Sequence, residues 1–146
     1  MYEELVREIL LYFSIGKPPI KPDLIAYGLG LKIILSSSLG NISGFICSFN
    51  NSGVILVNKY HPLTRQRFTI AHELGHYFLH HKSFLSFEED KIMRTQANNF
   101  AGTLLLPYFL LERYLYLHPS RISKIFMVSQ GVVERRIEFL RKENKI

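Results

Sequence analysis

Cysteine is almost missing from this chain. Cys47 is the only one among 146 residues, so no intrachain disulfide can form and a reducing compartment is the expected setting. Long apolar runs are missing too. The most apolar stretch, Phe100 to Leu111, is interrupted by Thr103 and Pro107 and falls short of the ~20 residues needed to cross a bilayer. The opening MYEELVREILLYFSIG sets Glu3, Glu4 and Glu8 among its apolar residues, the pattern of an amphipathic helix rather than of a secretion leader. There is no internal repeat, no low-complexity segment and no linker long enough to divide the chain into separate domains. These absences predict one soluble, cytoplasmic domain over residues 1–146 that makes no membrane contact.

What is present supports a packed core: 47% hydrophobic residues, 21% charged and 13% aromatic. A chain of this length buries roughly two thirds of its unfolded surface and needs no metal merely to fold. A metal here would therefore be functional. The formal charge is +6 and is unevenly spread. Residues 121–146 carry seven Lys and Arg against three Asp and Glu, net +4. Such a bias marks either a contact with nucleic acid or an acidic partner, or the solvated face of a terminal helix.

Hydrophobic spacing divides the chain. Leu5, Ile9, Tyr12 and Phe13 predict a first helix ending at Gly16, before Lys17-Pro18-Pro19. A short second helix is expected from about Pro22 to Tyr27, closed by Gly28 and Gly30. Leu31 to Leu35, Gly44 to Phe49 and Val54 to Asn58 are short and rich in β-branched and aromatic residues, so they read as three strands of a small antiparallel sheet. Asn50-Asn51-Ser52-Gly53 suits a hairpin turn between the last two. Helical spacing returns over Thr64 to about His81, Glu88 to Leu106, Tyr108 to Leu117, Arg121 to Met127 and Gly131 to Lys142. The class is α+β, a three-stranded sheet packed with a cluster of helices.

Inside the first of those later helices lies His72-Glu73-Leu74-Gly75-His76, an H-E-x-x-H pattern. At i, i+4 spacing the two imidazoles sit about 5–6 Å apart at Cβ, within reach of one ion. Glu73 lies beside them, where a general base toward water would stand. The neighbours Phe68, Ile70, Ala71, Leu74, Phe78 and Leu79 make this helix largely apolar, and unsatisfied polar groups are costly to bury in such surroundings. The competing reading is of ordinary core or surface histidines. Cys47, alone in a strand, reads as a small buried apolar residue.

The run VILVNKYHPLTRQRFTIAHELGHYFLH, followed by QANNFAGTLLLP, closely resembles the ImmA/IrrE family of metallopeptidase-like proteins, over about Lys17 to Leu140. The family's pattern is a strand ending in Asn, an RxRFTIAHELGH helix and a helix reading ExxANxFAxxLLMP. The resemblance implies a compact, zincin-like zinc peptidase fold, with His72 and His76 as Zn2+ ligands and Glu73 as general base. It also implies a helix-turn-helix transcriptional repressor as the protein substrate.

One position departs from the family. Its expected third ligand is a Glu three residues before the Ala of ANxFA, and here that residue is Arg94. An arginine cannot ligate zinc, and its charge opposes the metal's. Asp90, one turn earlier on the same helix face, is a candidate third ligand. Glu88, Glu89 and His80 are further candidates. Otherwise Arg94 pairs with Glu73 or Asp90, and the protein is a metal-free pseudoenzyme that binds a regulatory protein without cutting it. Asn98 stands where the family places its motif Asn, either facing the site or bonding between helices.

The closing segment, 121–146, has a helix-turn-helix look. Ile122, Ile125, Phe126, Val133, Ile137 and Leu140 fall at core spacing, while Arg135, Arg136, Arg141 and Lys142 are expected to face outward. Direct DNA binding through these residues would require steeply salt-dependent affinity. The family resemblance instead gives this segment the role of closing the domain.

Overall fold

The computed structural model describes residues 1–79 and 91–146. In chain order the elements are α1 (Glu3–Tyr12), α2 (Pro22–Gly28), β1 (Lys32–Ser36), β2 (Gly44–Phe49), β3 (Ser52–Asn58), α3 (Leu63–Phe78), α4 (Lys91–Leu105), α5 (Tyr108–Leu111), a 3-10 turn over Glu112–Tyr114, α6 (Pro119–Phe126) and α7 (Gln130–Lys142). The architecture is α+β, as the hydrophobic spacing predicts.

Local chemistry sets the ends of the first two helices. α1 stops four residues before Gly16, because Ser14 adopts a left-handed conformation at φ 56°. Its N–H then donates to the Leu11 carbonyl, and Ile15 N–H donates to the Leu10 carbonyl at 2.8 Å. That paired closure satisfies carbonyls a helix end otherwise leaves open. α2 closes the same way around Gly30, at φ 79°, with Leu31 N–H on the Ala26 carbonyl. The stretch after Pro107 is also shorter than its spacing suggests, one α-turn followed by the 3-10 turn.

The sheet corrects an expectation. Its order is β1-β3-β2; β2 pairs antiparallel with β3, but β1 pairs with β3 in parallel, Ile33 opposite Ile55 and Leu35 opposite Val57. Asn50 and Asn51, at φ 51° and 62°, form the tight turn that makes β2 and β3 a hairpin. Residues 37–43 cross the end of β3, so β1 lies on its other edge and points the same way. A meander and this order bury the same alternating residues, and the pattern of side chains does not distinguish them. Cys47 on β2 is half-buried rather than enclosed, because β2 is an edge strand.

Asn58 holds the crossing segment in place. Its Nδ2 donates to the carbonyls of Gly40 and Ile42, each at 3.0 Å, and its Oδ1 accepts from Tyr60 N–H. One core runs through the described elements, with Leu10, Ile25, Ile55, Leu74, Phe100, Leu104, Ile122, Phe126 and Leu140 almost wholly buried.

Two buried arginines tie the closing helices to this core. Arg67, at the start of α3, donates to the carbonyls of Ile20 (2.6 Å), Met127 (2.9 Å) and Phe126 (3.2 Å). Burial pulls its guanidinium below the usual arginine range, and Asp23 opposes that shift. Arg136 does not face outward as its place among Arg135, Arg141 and Lys142 suggests. It is 5% exposed, donates to the Leu106 carbonyl at 3.0 Å and pairs with Glu3 of α1. Helical geometry explains this: Arg136 lies one turn from Val132 and one from Leu140, both buried.

Candidate metal centre

The centre stands where α3 crosses α4. At the crossing, a Cβ on Gly75 would lie 3.1 Å from Ala97 Cα and 3.2 Å from the Phe100 ring. Only a residue without a side chain permits that approach unchanged. Ala97 is fully buried at the contact. The close crossing brings the face of α4 that carries Arg94 and Asn98 over the face of α3 that carries His72 and His76. Ile70, Ala71 and Leu74 anchor the opposite side of α3 in the core.

The H-E-x-x-H residues come together as their spacing requires. The His72 and His76 rings are 4.9 Å apart and nearly perpendicular, at 82°. One ligand atom from each of His72, Glu73 and His76 falls within 4.8 Å of the others. His76 and Glu73 are 3% and 5% exposed, while His72 is half-buried and opens toward solvent. Asn98 reaches from α4 to His72, its Oδ1 2.7 Å from Nδ1. An amide oxygen only accepts, so in this contact His72 Nδ1 is the donor.

These groups line a cavity of about 490 Å³. Its walls come from α3 (Phe68 and Thr69), from α4 (Arg94 and Asn98), and from β2 together with the segment that Asn58 holds, Asn41 to Ile46. Arg65 lies at its rim and donates to Ser43 Oγ at 3.1 Å. Arg65 and Asn58 escape a reading confined to the histidines. Arg65, then Phe68 or Thr69, then His72 and His76 follow one another at three- and four-residue steps, the signal that places them on one helix face. The structure thus gathers His72, Glu73, His76, Arg94 and Asn98 at one cavity. Asp90, Glu88, Glu89 and His80 lie outside the described residues.

Residues 28–138 match the model of the IrrE N-terminal-like domain, Peptidase_M78. The chain belongs to that family. Within it, Metallopeptidase ImmA of Bacillus subtilis (strain 168) is 35% identical over 79 residues, which are 50% of this chain and 47% of that protein. The match thus spans about half the length of the curated relative. The fold is shared with a Mycobacterium tuberculosis transcriptional regulator, at a TM-score of 0.68 and 19% identity over 92% of this chain and 45% of the other. This IrrE-like domain is therefore an ImmA/IrrE-type, metallopeptidase-like protein. Membership of a metallopeptidase family implies a metal cofactor, and the two imidazoles are donors that suit a divalent transition metal, with the Glu73 carboxylate beside them. Among the described residues no helix is long and apolar enough to cross a membrane.

Proposed function

We propose that this chain is a zinc-dependent metalloendopeptidase that acts on a helix-turn-helix transcriptional repressor in a reducing, cytoplasmic setting. The observation that carries the reading is the convergence of His72, Glu73 and His76 within 4.8 Å, with Asn98 holding the His72 ring. His72 and His76 hold the ion through ring nitrogens. Arg94 occupies the family's third-ligand position, so the third donor is taken to be Asp90, four residues earlier in the sequence. When bound, zinc supplies Lewis acidity to the attacking water and to the scissile carbonyl.

The protein's own residues do the rest. The Glu73 carboxylate, almost enclosed, takes a proton from the attacking water and returns it to the leaving amide nitrogen. Asn98 keeps the proton of His72 on Nδ1, aiming Nε2 into the cavity. β2 is the edge of the described sheet and contributes Gly44, Phe45 and Ile46 to the wall, a setting in which an extended segment adds as a further strand. A cavity of about 490 Å³ takes a few side chains of such a segment and no folded protein, so cleavage would fall in an exposed loop or linker of the repressor. The family resemblance supports that choice of substrate, and α6 with α7 then closes the domain rather than reading DNA.

Purification in the presence of zinc should yield near-stoichiometric metal, and Glu73→Gln should keep the metal while abolishing cleavage of a co-expressed repressor. Metal-free protein with an intact repressor would sink the catalytic reading. One observation favours a second reading, a pseudoenzyme that binds the regulatory protein without cutting it: Arg94 lines the same cavity as both histidines. Arg94→Glu separates the two. A degenerate site gains zinc affinity by at least tenfold, whereas a site already completed by Asp90 gains little.

A further inference from the structure

Beyond the metal centre the cleft continues. A second cavity of about 280 Å³ lies between α4 and α7, and Phe68 and Asn98 line both. Its far wall is formed by Val132, Arg135 and Phe139 of α7, and its floor passes Gly102 of α4. On α4, Arg94, Asn98 and Gly102 follow at four-residue steps, so one helix face runs under both cavities.

Two arginines meet at the second cavity with opposite roles. Arg136 is spent on the fold, held by Glu3 and the Leu106 carbonyl. Arg135 is exposed, and among the described residues no carboxylate pairs with it. Its guanidinium folds back over the first turn of α7, where a Cβ on Gly131 would lie 3.3 Å from its Nη1. The absence of a side chain at Gly131 leaves the space in which the guanidinium sits. Along the joined cleft the charged lining is Arg65, Arg94, Arg135 and Arg136 against Glu73 among the described residues.

We propose that the second cavity is a subsite for an acidic side chain, with Arg135 as its selective residue. The occupant is an Asp or Glu of the same protein segment that crosses the metal centre, its carboxylate on the Arg135 guanidinium and its neighbouring apolar side chain against Val132 and Phe139. This deepens the proposed function and rests on the reading that a peptide segment occupies the cleft. A planar guanidinium suits a carboxylate because it offers two parallel N–H donors.

The test uses the full chain carrying Glu73→Gln, so that bound peptides stay intact, and an immobilised positional-scanning decapeptide library as probe. Pools with fixed Asp or Glu should bind about tenfold better than pools with fixed Asn or Gln, a ratio of ~1.4 kcal/mol. That preference should shrink between 50 and 500 mM NaCl as exposed charges are screened. Arg135→Gln should level the pools, and Arg135→Glu should reverse the preference toward Lys and Arg. Retention of the acid preference in Arg135→Gln overturns the proposal, as does failure of every pool to bind. Duplex DNA binding that is lost in Arg135→Gln and is not displaced by acidic peptides overturns it too, in favour of a nucleic-acid contact. Zinc content and Glu73-dependent cleavage, measured separately in the chain with Arg135 intact, report on the metal centre alone. If those fail, the catalytic reading falls by itself.

Discussion

Replacing Asn98 by alanine tests whether the second helix tunes the metal centre. Asn98 is exposed on α4, and its described side-chain hydrogen bond is the 2.7 Å contact to His72 Nδ1. Truncation removes the acceptor that holds the proton on Nδ1, and the ring is then free to rotate or to present the wrong nitrogen. Outer partners of metal-ligating histidines are typically worth about 10–100-fold in metal affinity. Exposure lets water replace the lost oxygen, which places the expected effect at the low end, about tenfold or ~1.4 kcal/mol. The fold should hardly notice, since an exposed helical substitution away from special contacts stays within about 0.5 kcal/mol. Competition against a chromophoric chelator measures the affinity, and a urea titration measures the stability. Asn98→Asp supplies the control: a carboxylate at the same reach accepts from Nδ1 at least as well and should preserve or strengthen zinc binding. The reasoning is refuted if Asn98→Ala binds zinc like the parent, or if Asn98→Asp loses affinity to the same extent as Ala.

Other perturbations probe what positions the site. Arg67→Met strands the carbonyls of Ile20, Phe126 and Met127 together, and each unsatisfied buried acceptor costs about 1–3 kcal/mol. A loss of at least ~3 kcal/mol in urea unfolding is expected, and a loss under ~1 kcal/mol would show that these carbonyls find water instead. Gly75→Ala places a methyl 3.1 Å from Ala97 Cα, and overpacking of this kind costs about 1–3 kcal/mol. Alanine's better helix propensity, about 1 kcal/mol, offsets some of that. The net effect is a small destabilisation combined with weaker zinc binding as α4 moves off α3; unchanged zinc affinity would detach the crossing from the centre.

Much of this molecule is legible in its amino-acid order. Apart from the stretch after Pro107, apolar spacing places the described helices to within a few residues, and His72, Glu73 and His76 already form one constellation, because i, i+4 geometry is a property of the helix itself. What fails is whatever depends on partners distant in the chain. Helical spacing sets Arg136 on the side of α7 that carries Val132 and Leu140, but only tertiary packing supplies its partner, Glu3 of α1, and leaves Arg135 at a cavity. Parallel pairing of β1 is equally invisible, since side-chain alternation does not say which edge of β3 a strand will take.

Local sequence, then, dictates the elements, the family and the chemistry of the donors. Those follow from neighbours a few residues apart and from long local motifs. Tertiary packing is what makes Asn98 reach His72, lets Asn58 prop the wall opposite, and carries the cleft on to Arg135. Each of these joins residues 16 or more positions apart, whose meeting depends on close packing such as that of Gly75 against Ala97.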